Sequence, residues 1–331
     1  MKSWWWRGAG VVLLVYVAGV LALMWWWDYE PPHFDVAANA REVTGELGSA
    51  SRAVTGSVTT AALITSAQTL LDKRGGYLSN DRLPPGVLMD NVPNWEFGVL
   101  TATRDLARAL RNDLSRSQTQ SVEDADLQEA DPLFSSPNDR WLLPSSESQY
   151  RKAIGHLRAY LARLVGGGQG TAQFYARADN LADYLQVASA RLGSLSQRLS
   201  AAAGQVRLDT TLAGDPHAQQ SSATPPEQFV RTPWTKIDDN FYEARGYAWA
   251  LREQLEAMRI DFAPILASKN ATVSLEQIIR ELEESQRALG SPVVLNGRPF
   301  GFFANHSLVM ANYISRANAA MIDLRELLKR G

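Results

Sequence analysis

The chain has 331 residues, 45% hydrophobic and 21% charged, the composition of a folded protein and not of a disordered one. Its formal net charge is −2, so it has no basic excess to hold a nucleic-acid backbone. It has no cysteine, which excludes disulfides, thiolate metal sites and cysteine nucleophiles together.

The first element is an uncharged run from Gly8 to Trp27. At ~1.5 Å rise per helical residue it spans about 30 Å, the thickness of a bilayer's hydrocarbon core. Trp4, Trp5 and Trp6 precede it, and Trp25, Trp26 and Trp27 end it. Indole rings collect at membrane interfaces because they pair an apolar body with an N–H that needs a partner. Lys2 and Arg7 lie before the run, and Asp28 and Glu30 after it. That asymmetry predicts a cytoplasmic segment 1–7 and a remainder on the far side of the membrane. A cleaved export signal needs small residues just past the apolar run; three Trp and DYEPP stand there instead. Ala38-Asn39-Ala40 has the right form but begins too far beyond Trp27. A buried helix of a soluble core needs no Trp belt at both ends. The run reads as a permanent anchor over 8–27, followed by a juxtamembrane spacer over 28–40 that Pro31 and Pro32 stiffen.

From there the apolar residues recur at alternating spacings of three and four, the mark of helices with a narrow buried seam. Val43, Leu47, Ala50, Val54, Ser57, Ala61, Ile64 and Leu71 follow it. Trp95, Val99, Ala102, Leu106 and Ala109 form the next seam, then Tyr150, Ile154, Leu157, Leu161 and Leu164. Phe174 to Leu199, Ile237 to Phe262 and Met310 to Leu328 hold the longest ones. No stretch of comparable length alternates with period two, so no sheet is expected. The predicted fold is all-α: a single N-terminal transmembrane helix followed by a multi-helix antiparallel bundle with long helices. Capping boxes are expected at Ser146 with Gln149 and at Ser274 with Gln277, and a left-handed C-cap at Gly290. Residues 204–233, rich in Pro, Gly, Ser and Gln, read as a flexible linker between subdomains at 41–203 and 234–331, the second packing on the first.

Motifs for chemistry are sparse. His33, His156, His217 and His306 sit apart in sequence, none at metal-ligand spacing, and each reads as a structural histidine. Gly166-Gly167-Gly168-Gln169-Gly170 lacks the preceding strand and following Lys of a phosphate loop, and reads as a helix–helix turn. Asp124, Asp126, Glu129 and Asp131 have oxygen density but not the Gly and spacing of a calcium loop; a solvated acidic loop is expected. No metal or cofactor is predicted. The most informative segment is TPWTKIDDNFYEARGYAWALREQL. Tyr242 and Trp249, seven apart, share a face away from the seam of Ile237, Phe241, Ala244, Ala248 and Leu251. With Asp238, Asp239, Glu243 and Arg245 they make either a second core face or a ligand or partner surface with an aromatic floor and an acidic rim, the core reading being the stronger.

The Trp-flanked anchor running into DYEPPHFDV, with PWTKIDDNFYEARGYAWALREQLEAMRIDF and LEQIIRELEESQRAL, resembles a bacterial membrane protein family catalogued as domain of unknown function 2333. The resemblance covers nearly the whole chain. It implies an envelope protein with one anchor in the bacterial inner membrane, and brings no catalytic residues or cofactor. The function expected is an interaction or scaffold module on the periplasmic side, with the lipid bilayer and an envelope protein or a second copy as partners. The alternative is a ligand-sensing bundle. Less favoured is an enzyme acting on cell-wall or lipid material through Asp238, Asp239, Glu243 or Arg245.

Overall fold

The computed structural model describes residues 2–47, 54–117, 122–166, 172–208 and 227–330. Ala50, Gly167 to Gly170 and His217 lie outside them. Eleven helices carry the described fold. The first, α1, runs Lys2–Trp27, and its stretch Trp6–Trp27 has a mean hydropathy of 2.2 with none of it buried. That helix is long and apolar enough to cross a membrane; an export signal has the same length and composition. After the two prolines come α2 (Val36–Glu46), α3 (Ser57–Asp72), α4 (Asn91–Ala109), α5 (Ala125–Phe134), α6 (Ser146–Gly166) and α7 (Ala178–Ser200). Then follow α8 (Ile237–Asp261), the short α9 (Ala263–Ser268), α10 (Thr272–Glu284) and α11 (His306–Lys329).

The predicted seams are the core. Trp95, Val99, Ala102, Leu106 and Ala109 of α4 are all buried, as are Ile237, Phe241, Ala244, Ala248, Leu251, Leu255 and Met258 of α8. The α6 and α11 seams are buried throughout as well. Helices from both sides of residues 204–233 contribute to one continuous hydrophobic cluster. At its centre α8 packs against α4, α3 and α10. Most neighbours run antiparallel, as the Arg198–Glu243 contact of α7 with α8 and the Arg316–Glu281 contact of α11 with α10 show. The closest pair is different: α4 and α8 run parallel, with Asn94 beside Asp239 at one end and Ala102 beside Gln254 further along.

Four local expectations are corrected. The seam from Val43 to Leu71 is divided between α2 and α3, because Gly56 precedes α3 in a left-handed conformation, φ 90°, with the Phe174 ring where a side chain would stand. The caps fall elsewhere. The Ser146 hydroxyl donates to the Pro137 carbonyl at 2.8 Å and accepts from the Arg140 amide at 3.1 Å, fastening a loop. Ser274 lies inside α10, and Gly290 lies past that helix, which closes at Ser285. The sheetless expectation also fails at one point. Within the expected linker, β1 (Gln205–Leu208) pairs antiparallel with β2 (Glu227–Val230), strands too short for a period-two signal. Lastly, the acidic segment is the helix α5 and its approach, not a solvated loop. Asp124 caps it, accepting from the amides of Asp126 and Leu127. Arg163 binds Asp124 and Asp126, and Arg111 binds Glu123 and Asp131.

Candidate functional site

The informative segment is the N-terminal half of α8, and Asp239, Glu243 and Arg245 are each held by a different neighbour. Asp239 accepts from Lys236 at 2.6 Å and from the Asn94 amide at 3.0 Å. Glu243 takes both arms of Arg198, each at 2.6 Å, on the side facing α7. Asp238 accepts from the Asp239 amide at 3.2 Å; burial raises its carboxyl above the ordinary range, and Asp90 adds to this. Arg245 turns the other way. It does not reach Asp238, but crosses to Glu30 in the segment just after α1, which it holds with Nε at 2.8 Å and Nη2 at 2.6 Å. Its remaining N–H groups donate to the carbonyls of Ser285, Gln286 and Arg287 just past the end of α10. A guanidinium suits that place, since a helix C-terminus leaves carbonyls unpaired and carries partial negative charge. The proposed acidic rim is therefore dispersed, while Tyr242, Arg245 and Trp249 do come together.

They meet in a cleft of about 430 Å³ where the segment after α1 meets the bundle. Its floor is aromatic. Trp249 is 2% exposed, lies 5.4 Å from the Trp95 ring centroid, and stacks on His33 at 6.1 Å. Its rim is the segment 28–33, the start of α4, and the stretch following α10. Burial raises the Asp28 carboxyl, with Glu30 and Asp90 adding to it. The Tyr242 phenol is pushed up to about 12 by burial and then by Glu30 and Asp28, so it keeps its proton at neutral pH. His33 gives its Nδ1 side to the buried Glu253 at 2.6 Å. The indole N–H groups of Trp95 and Trp249, and Nε2 of His33, are buried with no hydrogen-bond partner among the described residues. Among those residues there is also no group of three or more His, Asp or Glu placed to hold a metal ion.

The end of α1 is fastened to the bundle just beside this cleft. Arg74 lies over the rings of Trp26 and Tyr29, 4.2 and 3.9 Å from their centroids. The Trp27 ring lies against Gly75, which has φ 82°, and a side chain there would come within 2.7 Å of it. Trp25 is exposed, as is Trp6 at the other end; Trp4, Trp5 and Arg7 lie in the same helix. Sequence reasoning singled out Arg245 and Trp249 but missed their partners Glu30, His33 and Trp95. These lie far away in sequence, and the only available signal was an Arg on a helix otherwise bound for burial.

The family model described as "Uncharacterized protein conserved in bacteria (DUF2333)" matches residues 1–331. No curated protein and no solved structure matches the chain. The chain belongs to that family.

Proposed function

We propose that this family member is a single-pass inner-membrane protein whose helical bundle works as an interaction scaffold on the periplasmic side. The observation that carries the reading is the tie of Arg245 to Glu30. A bundle swinging on a loose stalk needs no such contact. This one spends a largely buried guanidinium on the residue third after the apolar run, and Arg74 on the rings beside it. A bundle held in one pose presents one constant surface to its neighbours. Lys2 and Arg7 before the run support the orientation.

Two experiments test it. A reporter fused after Gly331 should be active in the periplasm; activity confined to the cytoplasm overturns the orientation. Crosslinking the full chain in native membranes should recover a defined envelope protein or a second copy. That product should weaken in Arg245→Ala, which unfastens the bundle. Recovery of uncrosslinked monomer alone, in both forms, rejects the scaffold.

A ligand-sensing role is the second reading, favoured by the cleft and its unpartnered indole donors, which an acceptor-bearing ligand would satisfy. A compound that raises the unfolding midpoint of the wild type, but not that of Tyr242→Ala, would support it over the scaffold.

A further inference from the structure

Large apolar side chains exposed outside α1 are not scattered over the bundle. Helices α3, α5, α7 and α10 end, and α4, α6, α8 and α11 begin, at the end where the anchor is fastened. The loops at that end expose Leu83, Leu88, Trp141, Leu143, Phe300 and Phe302. Among the described residues of the far half of the bundle, Val122, Val187, Val273 and Ile322 are the large apolar side chains exposed, and they lie apart on different elements. Exposed apolar side chains gathered at one end mark a surface that something covers.

The loops are also built rigidly. Tyr77 donates to the Asn138 carbonyl at 2.9 Å, and Asn80 to the Arg140 carbonyl at 3.0 Å, so the loops bearing Leu83 and Leu143 are pinned side by side. The loop bearing the phenylalanines has a closed polar neck. Asn296 and Asn305 bridge it, Gly297 donates to the Ala304 carbonyl at 2.9 Å, and Asn296 ties it to the Ala202 carbonyl at 3.0 Å. Beyond that neck Phe300 and Phe302 stand almost fully in solvent. Leu88 and Met89 line a small recess together with Met24 and Trp25, in the last turns of the anchor. That places the apolar loop at the depth where the anchor's indoles meet the interface. Arg82 and Arg298, both exposed, flank the apolar tips and suit anionic headgroups.

We infer that this end of the bundle is a second membrane-contact surface, whose apolar loops insert into the lipid interface around the anchor. The occupant is the bilayer itself, because the surface is continuous with the anchor that enters it. The inference rests on α1 spanning the membrane. The bundle then lies on the bilayer on several loops, as well as hanging from one helix.

The chain has no cysteine, so single cysteines can be introduced cleanly. Spin labels at Leu88→Cys, Leu143→Cys, Phe302→Cys and Val273→Cys would be read in the full chain, in nanodiscs of zwitterionic and anionic phospholipid. A label at Val15→Cys, within the anchor, serves as reference. Labels at 88, 143 and 302 should collide more with oxygen and less with a water-soluble nickel chelate than the label at 273. Equal nickel access at all four, with 15 lipid-exposed, overturns the inference and leaves the anchor standing. Nickel access at 15 overturns the anchor. Shielding of 88, 143 and 302 from both reagents means a protein covers the face, which also overturns the inference. Because all three loop positions are exposed, the substitutions leave the core intact; circular dichroism of each variant verifies this.

Discussion

Glu96 shows how much one carboxylate can organise. It is fully buried in α4 and accepts from the amides of Leu78 and Ser79, each at 2.8 Å, and from Lys73 at 2.5 Å. Burial raises its carboxyl, and Lys73 opposes that. Those contacts fold the loop after α3 back onto α4, directly beneath the residues that hold Trp26 and Trp27. Removing one member of a buried pair strands the other, which costs about 3–5 kcal/mol. Glu96→Leu is therefore expected to lower unfolding stability by that order in urea titration. The double variant Lys73→Met with Glu96→Leu should recover part of it, but not all. It removes the stranded charge and still leaves two backbone N–H groups unpaired, at about 1–3 kcal/mol each. Full recovery in the double variant would show that the amides matter little. Neither this pair nor Arg245 with Glu30 was legible in the sequence. Periodicity reports which face a residue occupies, and says nothing of a partner 215 positions away.

Between elements, the contact of α4 with α8 is the tightest point in the fold. A methyl on Gly98 would lie 2.1 Å from the Glu243 carbonyl oxygen, and one on Gly246 would lie 1.9 Å from that of Trp95. Backbone meets backbone there, so no side chain can swing aside. Alanine would add about 1 kcal/mol of helix propensity. The forced separation of two buried helices opposes it at about 1–3 kcal/mol or more. The clash wins, and both Gly98→Ala and Gly246→Ala should lower the melting temperature. Gly155 in α6 provides the contrast, having nothing within 4 Å of its added methyl. Gly155→Ala should stabilise by about 0.5–1 kcal/mol. If all three variants shift the same way, helix packing is not what distinguishes them. The heptad seams were legible because burial on one stripe leaves a periodic trace, and those of α4, α6, α8 and α11 are buried as spaced. The parallel course of α4 and α8 left no trace. A seam records that a face is covered, without the direction of the helix covering it. Gly246 stands outside its helix's seam, so only its lack of a side chain pointed to a close approach.

Across the whole molecule, the long apolar helix α1 was legible from the length of its uncharged run, whereas the cleft needed residues from four distant segments and was legible only in Tyr242, Arg245 and Trp249. The same scale governs the response to pH. Asp28, Asp81, Asp113, Asp238 and Asp261 are raised above the ordinary 3.8, in each case first by burial. Glu96 is raised above 4.5 for the same first reason. A carboxyl raised on folding takes up its proton while the unfolded chain is still ionised. Its contribution is complete below the unfolded value and is lost as pH rises through the folded one. These six groups therefore make stability increase as pH falls from neutrality toward the ordinary carboxylate range. His306 opposes them, since burial lowers it from 6.5, so its contribution is lost as pH falls through its folded value. Asp126 is lowered below 3.8, burial being outweighed by His156 and Arg163, so its contribution is lost only in stronger acid. The carboxyls act as pH falls through their own raised values, His306 as it falls through a value below 6.5, so variants and not a count separate them. As pH falls from neutrality, the wild-type urea midpoint should rise relative to that of variants lacking a raised carboxyl. Asp28→Asn and Asp238→Asn, which remove two partly buried negative charges near the end of α1, should raise the midpoint at about pH 7.5, by an amount that shrinks as pH falls. Variants whose midpoints match the wild type at every pH would mean that these carboxyls are solvated in the folded chain, and that the end of the bundle nearest α1 is looser than its contacts indicate.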